Sequence, residues 1–188
     1  TVAMHNINLF DEDIPIIVPS GSCAGMMGHD YLQLFEGSPE FDKVQRFAAR
    51  VYDLSQYLDE ILQVNYEDKG EKIKVAWHSN CHALRVAKSV EASKNLIRKF
   101  ANVELLELEH EEECCGFGGT FAVKESDISN AMALAKIEDI KKTGASYLIS
   151  GDGGCLLNIS GTMKRNGVDI KCLHLYDFLI KRLEGAPL

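Results

Sequence analysis

The run Glu113-Cys114-Cys115-Gly116-Phe117-Gly118-Gly119-Thr120 constrains this chain more than any other stretch. Side chains of neighbouring residues diverge in a regular helix or strand, so two adjacent cysteines reach one point only where the backbone turns sharply. Gly116, Gly118 and Gly119 supply that freedom. A disulfide between adjacent residues is strained. A multi-metal centre, in which several ions each take a thiolate, suits the pair better. The alternative is two buried thiols in a glycine-rich turn, because free cysteine packs as a small hydrophobe.

Around this run the sequence alternates between strand and helix patterns. Ile14 to Pro19 is an apolar, β-branched run bounded by prolines and is read as a buried strand. Ser20-Gly21-Ser22-Cys23-Ala24-Gly25 is a strand-to-helix turn, with helices expected to about Phe35, from Pro39 to Arg50, and from Leu54 to Val64. Tyr52-Asp53 caps the last of these. Asn65 to Lys72 is a polar connection. Beyond it, strands are predicted over 73–77, 103–108, 145–150 and 168–173, and helices over about 89–100, 128–142, from Cys155 to about 166, and 174–183. The order predicts an α/β fold with parallel sheets flanked by helices.

A repeat is visible in this order. Ile16 to Cys23 parallels Tyr147 to Cys155, and Tyr52-Asp53-Leu54 parallels Tyr176-Asp177-Phe178. The chain therefore reads as two pseudo-repeated Rossmann-like units, the first incomplete over 1–68 and the second complete over 69–188. Nothing in the first unit matches Trp77 to Gly119, so a missing first half of that unit, and hence a fragment of a longer protein, is expected.

Composition excludes several classes. A net charge of −8 disfavours nucleic acid as a partner, since phosphate binding needs a basic face. No apolar run reaches the roughly 20 residues of a membrane span, and no signal peptide is visible. A cytoplasmic protein is expected, in which six cysteines point to metal or redox chemistry.

Cys81, Cys114, Cys115 and Cys155 each fall in a loop after a predicted strand or in a glycine turn. Loops at the carboxyl ends of parallel strands gather at one crevice, where four thiols form an iron–sulfur or zinc ligand set. Helix N-termini expected after Cys81, Cys115 and Cys155 favour thiolates. The glycines at 116, 118, 119, 153 and 154 are expected to leave room for an inorganic core. Cys23 is a weaker candidate, and Cys172 reads as core. His78 and His82 flank Cys81 as ligands, outer donors or structural histidines. Asp152 reads as a ligand or an N-cap, His174 as part of the last helix's N-terminus, Glu111-Glu112-Glu113 as a solvated loop, and Trp77 as core. Gly116-x-Gly118-Gly119 lacks the context of a flavin or nicotinamide fingerprint.

The order Cys81, Cys114-Cys115-Gly116, Cys155 resembles the CCG cysteine-rich domain family, whose pattern is a single Cys, a Cys-Cys-Gly and a Cys-x-x-Cys. That family includes the cysteine-rich subunit of heterodisulfide reductase, the iron–sulfur subunit of glycolate oxidase and the corresponding subunit of anaerobic glycerol-3-phosphate dehydrogenase. The likeness is nearest to the lactate utilization protein A group, through His78-Ser79-Asn80-Cys81-His82, Cys114 to Phe121 and Gly154-Cys155-Leu156-Leu157-Asn158. It spans nearly the whole chain.

The resemblance implies an iron–sulfur electron-transfer subunit, with a 4Fe-4S cluster on Cys81, Cys114, Cys115 and Cys155. Its partners would be the other subunits of an oxidoreductase complex that oxidises lactate or glycolate. Two positions depart from the pattern: Asp152 and Ser20 stand where each unit's Cys-x-x-Cys would begin, which disfavours a five-thiolate noncubane cluster. Zinc on the same cysteines, as a structural or interaction module, and a metal-free thiol–disulfide redox protein are the alternatives.

Overall fold

A computed structural model of the chain describes residues 2–10 and 13–188. Asp11 and Glu12 of the acidic N-terminal stretch lie outside them. The fold is α/β, with two parallel sheets flanked by helices.

The first sheet has two strands, β1 (Ile16–Val18) and β2 (Val51–Asp53), paired in parallel. Helix α1 (Val2–Asn8) precedes it. Between the strands run α2 (Gly21–Gly25), a wider π turn over Met26–Asp30, α3 (Tyr31–Leu34) and α4 (Phe41–Ala48). After β2 come α5 (Leu54–Gln56) and a second π turn over Tyr57–Ile61. Strand β2 does not stand out in the sequence, because three residues squeezed between two helical patterns carry no alternation to read. Asp53 closes it and caps α5, accepting the Ser55 amide at 2.8 Å.

The second sheet has the order β4-β3-β5-β6, all parallel, from β3 (Ile73–Trp77), β4 (Val103–Leu106), β5 (Tyr147–Ser150) and β6 (Lys171–His174). Strand order reverses between β3 and β5, so a crevice opens at their carboxyl ends. Alternation along β3 sends Val75 and Trp77 to one face, with α6 (Val90–Arg98) and α10 (Leu175–Glu184), and Ala76 to the other. On that second face Leu148, Ile137, Ile140, Ile159 and Met163 form a core between the sheet and helices α8 (Ser126–Thr143) and α9 (Gly153–Arg165). Helix α8 ends on Gly144 at φ 68°, a left-handed cap with lysines in the last turn. The short α7 (Phe121–Lys124) precedes α8.

The Tyr-Asp repeat takes a different register from the one read in the sequence. Asp53 is the N-cap of α5, whereas the residue in that role before α10 is His174, three positions ahead of Asp177. Leu54, Tyr57 and Leu58 therefore correspond to Leu175, Phe178 and Leu179. The shared Tyr-Asp letters do not occupy equivalent places relative to their helices, whereas the apolar residues do.

The connection over 63–72 is fastened to the second sheet's helices. Tyr66 donates to the Leu96 carbonyl, and Arg182, almost fully buried on α10, reaches Asp68 at 2.5 Å and the Glu71 carbonyl at 2.8 Å. The two sheets' elements also touch directly. His82 Nε2 lies 3.0 Å from Asp30, and a Cβ added at Gly21 would stand 2.6 Å from that of Ala83. Among the described residues no helix is long and apolar enough to cross a membrane.

Candidate metal centre

Three segments deliver side chains to the crevice beyond β3 and β5. The first is His78-Ser79-Asn80-Cys81 at the end of β3. His78 N–H donates to the Ile149 carbonyl at 2.9 Å, continuing the ladder for one residue. Asn80 then caps the helical turn that opens at Cys81, accepting the Ala83 amide at 2.7 Å. This turn widens into a π segment over Ala83–Ala87, a feature with no signature in the sequence pattern.

The second segment, 107–120, carries the cysteine pair after β4, and it is strapped down along its length. Asp139 of α8 accepts the Glu109 and His110 amides at 3.2 and 2.9 Å. Lys136 donates to the His110 carbonyl, and Ser129 to the Gly116 carbonyl at 2.7 Å. Asn158 of α9 donates to the Cys115 carbonyl at 2.9 Å. At the start of the loop Glu111 accepts from Ser79 at 2.5 Å and pairs with Lys94 at 2.7 Å. Trp77 donates to Ser79 at 2.8 Å, so strand β3, loop and α6 form one hydrogen-bonded chain. Only Glu112 and Glu113 of the triple glutamate are exposed; Glu111 is a tether, because the buried Lys94 requires a partner.

The third segment is Ser150 to Cys155, turning from β5 into α9. Asp152 caps that helix, its Oδ1 accepting the Gly154 and Cys155 amides at 3.0 and 3.2 Å while Oδ2 accepts from Ser22 of the first sheet's turn. Both carboxylate oxygens are thus occupied.

These segments bring Cys115 and Cys155 together, with Cys114 next in the chain, and the Gly116 amide donates to Cys114 Sγ at 3.4 Å. A ring nitrogen of His78 and the sulfurs of Cys115 and Cys155 all lie within 4.8 Å of one another, and all three residues are buried. Tetrahedral coordination of a single ion spaces such atoms by about 3.5–3.8 Å, so this group fits a metal cofactor after a small contraction. His78 is 1% exposed and neither ring nitrogen has a hydrogen-bond partner. Leaving such a group unpaired costs about 1–3 kcal/mol.

Cys81 and Cys114 lie at the rim and are exposed, and neither belongs to this buried group. Cys81 is three residues from His78, just beyond the end of β3. Cys23 is exposed on the first sheet's turn, and Cys172 is half-buried beside Met163. His82 faces Asp30, and His174 stands at the N-cap position of α10.

Two expectations change. No helix begins directly after Cys115: the loop runs on to α7, six residues later, so of Cys81, Cys115 and Cys155 only the first and last sit in the first turn of a helix. The glycines also serve packing between protein segments more than open space. At Gly116, φ 83°, a Cβ would stand 2.5 Å from the Ser129 carbonyl, and at Gly154 one would stand 2.3 Å from the Phe117 ring. Gly119 and Gly153 do face open space.

Electrostatics follow from burial. The Cys114 thiol is pushed well up because it donates its proton to Cys115 and is partly buried. Cys115 receives that bond, which pulls it down, but its own donation to Cys155, burial and the neighbouring charge of Cys155 carry it up to about 12. His78 falls to about 3, chiefly through burial and then through the cation of Lys136. Without an ion Cys115 is held as a neutral thiol and His78 as a neutral imidazole, and a bound cation would favour the thiolate. Lys136, 1% exposed, is the residue that sequence reasoning missed. The signal was present: Ser129, Ala133, Lys136, Ile137 and Ile140 are the buried stripe of α8, and a lysine there breaks it. A buried ammonium close to thiolates offsets part of their negative charge.

Known proteins similar to this chain point the same way. The cysteine-rich CCG domain family matches residues 75–160. Lactate utilization protein A of Oceanobacillus iheyensis is 36% identical over 181 residues, covering 96% of this chain and 74% of that protein. The protein of the same name from Shouchella clausii is 40% identical over 180 residues, covering 94% and 74%. Lactate utilization protein A 2 of Bacillus cereus strain AH820 is 38% identical over 182 residues, covering 96% and 75%.

Proposed function

Because this chain belongs to the lactate utilization protein A family, we propose that it serves lactate utilization as an iron–sulfur electron-transfer subunit, with its cluster on Cys81, Cys114, Cys115 and Cys155. The observation that carries this reading is the pair of buried thiols, Cys115 and Cys155, beside a buried, unpartnered imidazole at the sheet's switch point. A 4Fe-4S cluster bound there supplies one-electron storage. Oxidising lactate to its 2-oxo acid releases two electrons and two protons, so the acceptor at the substrate and the final acceptor belong to partner subunits in the cytoplasm. The protein's own contribution is to hold the thiolates, exclude water through the 107–120 loop, and offset charge with Lys136. The reading keeps two CCG units, 1–68 and 69–188.

The test is anaerobic reconstitution with iron and sulfide. The expected product absorbs broadly in the visible and contains iron and acid-labile sulfide in matching amounts. Colourless, iron-free protein rejects the reading.

One observation favours a second reading, in which one zinc ion takes the place of the cluster. The buried group's spacing is close to that of a single tetrahedral ion, whereas a cluster needs its thiolates further apart. Metal analysis after purification separates the two. A disulfide-exchange function has less support, since such enzymes rely on a depressed thiol pKa and both vicinal thiols are pushed up.

A further inference from the structure

The second unit offers only four cysteines near the crevice, and its Cys-x-x-Cys position begins with Asp152. His78 and Asp152 are the two donors other than sulfur to weigh at this centre, and their surroundings differ. Asp152 has no free oxygen: one accepts two backbone amides of α9 and the other accepts from Ser22. Using it as a ligand would uncap α9 and break the contact between the two sheets' turns. His78 has two free nitrogens, is 1% exposed, and lies within 4.8 Å of both Cys115 and Cys155. Its backbone is fixed by the bond to Ile149, so the ring is held over the thiols by the end of β3.

We propose that His78 is a nitrogen ligand of the metal centre beside the buried Cys115 and Cys155, taking the position given above to one of the exposed cysteines, Cys81 or Cys114, while Asp152 stays a helix cap. This rests on the metal-centre reading above and deepens it. The consequence is a mixed sulfur–nitrogen centre. A neutral imidazole in place of a thiolate removes one negative charge from the centre and raises its reduction potential, as histidine ligation does in other iron–sulfur proteins. A centre of this kind accepts an electron more readily than an all-thiolate one.

The experiment compares wild type, His78→Ala, His78→Cys and Asp152→Asn after anaerobic reconstitution, with wild type also made from 15N-labelled histidine. Metal content, the reduction potential and nitrogen coupling in the EPR spectrum are read for iron. X-ray absorption counts sulfur and nitrogen neighbours if zinc is the metal taken. Wild type is expected to show a directly bound nitrogen whose coupling changes with the 15N label. His78→Ala should lose that nitrogen and bind metal at least about tenfold more weakly. His78→Cys should keep the metal with a lower potential, and Asp152→Asn should keep the bound nitrogen. A loaded wild-type centre with no histidine nitrogen, or with only the weak coupling of a hydrogen-bonded ring, overturns this proposal and leaves the metal centre standing. Wild type that takes neither iron nor zinc overturns both. The labelled wild-type measurement decides the matter even if the His78 variants do not fold.

Discussion

Ser20 and Asp152 hold nearly the same backbone conformation, φ −152°, ψ 121° and φ −135°, ψ 115°, each where a strand gives way to a helix. Three residues on stand Cys23 and Cys155. The local device is shared, and the outcomes are not. Asp152 caps a helix of 13 residues, while Ser20 makes no side-chain cap and its helix widens into a π turn after five. Cys155 is buried because the 107–120 loop lies across it, Phe117 resting against Gly154. Cys23 has no such cover and is exposed. A strand-to-helix turn can therefore place a thiol at the end of a sheet, but a second, distant segment decides whether it sits in a dry pocket. Their tight glycines differ too: the first turn is pressed against Ala83 at Gly21, whereas the matching Gly153 is open.

The largest test of this contrast is Gly21→Ala. Its Cβ would stand 2.6 Å from that of Ala83, which can yield only by moving backbone. A loss of about 2–3 kcal/mol in chemical denaturation is expected; an unchanged midpoint would mean that the two units do not press together there. Next is Asp152→Ala, which removes a doubly used cap and should cost about 1–2 kcal/mol, against less than about 0.5 kcal/mol for Ser20→Ala. Equal costs would erase the distinction between the turns. A double-mutant cycle with Ser22→Ala and Asp152→Ala should give a coupling of about 0.5–1.5 kcal/mol if their hydrogen bond links the two sheets. At the open position, Gly153→Ala should stabilise by about 0.4–1 kcal/mol, the opposite sign from Gly21→Ala.

A pH effect sharpens the comparison further. The helix after β2 carries a side-chain cap at Asp53, whereas His174, in the same place before α10, makes no capping bond. Burial raises the Asp53 carboxyl above its ordinary value of 3.8, against opposing bonds from Ser55 and Ser89. The folded chain therefore keeps a proton that the unfolded chain gives up. That stabilisation is full below pH 3.8 and is lost as pH rises to the folded value, so Asp53→Asn should flatten the decline in a pH series of melting curves.

The sequence revealed the second sheet through β3 and β5, whose β-branched, apolar and aromatic residues stand out, and through the glycine that follows β5. It hid β2, whose three residues are held by pairing with β1 and not by any pattern of their own. At the candidate centre, cysteine order and glycine spacing pointed to the loops. They did not separate the buried Cys115 and Cys155 from the exposed Cys81 and Cys114. That difference is made by Lys136, Asp139 and Asn158, which come from helices later in the chain and act on backbone carbonyls and amides; of these only Lys136, which breaks the buried stripe of α8, leaves a sign in the sequence.

The straps on the 107–120 loop also set an order of events during synthesis. Cys81, Cys114 and Cys115 leave the ribosome before the helices that hold them exist, and the Asn158 bond to the Cys115 carbonyl spans 43 residues. Until α9 has emerged and docked, those thiols have no common pocket and stand open to oxidation or to stray ions. A metal held by His78, Cys115 and Cys155 would therefore find its site only once this part of the chain is complete.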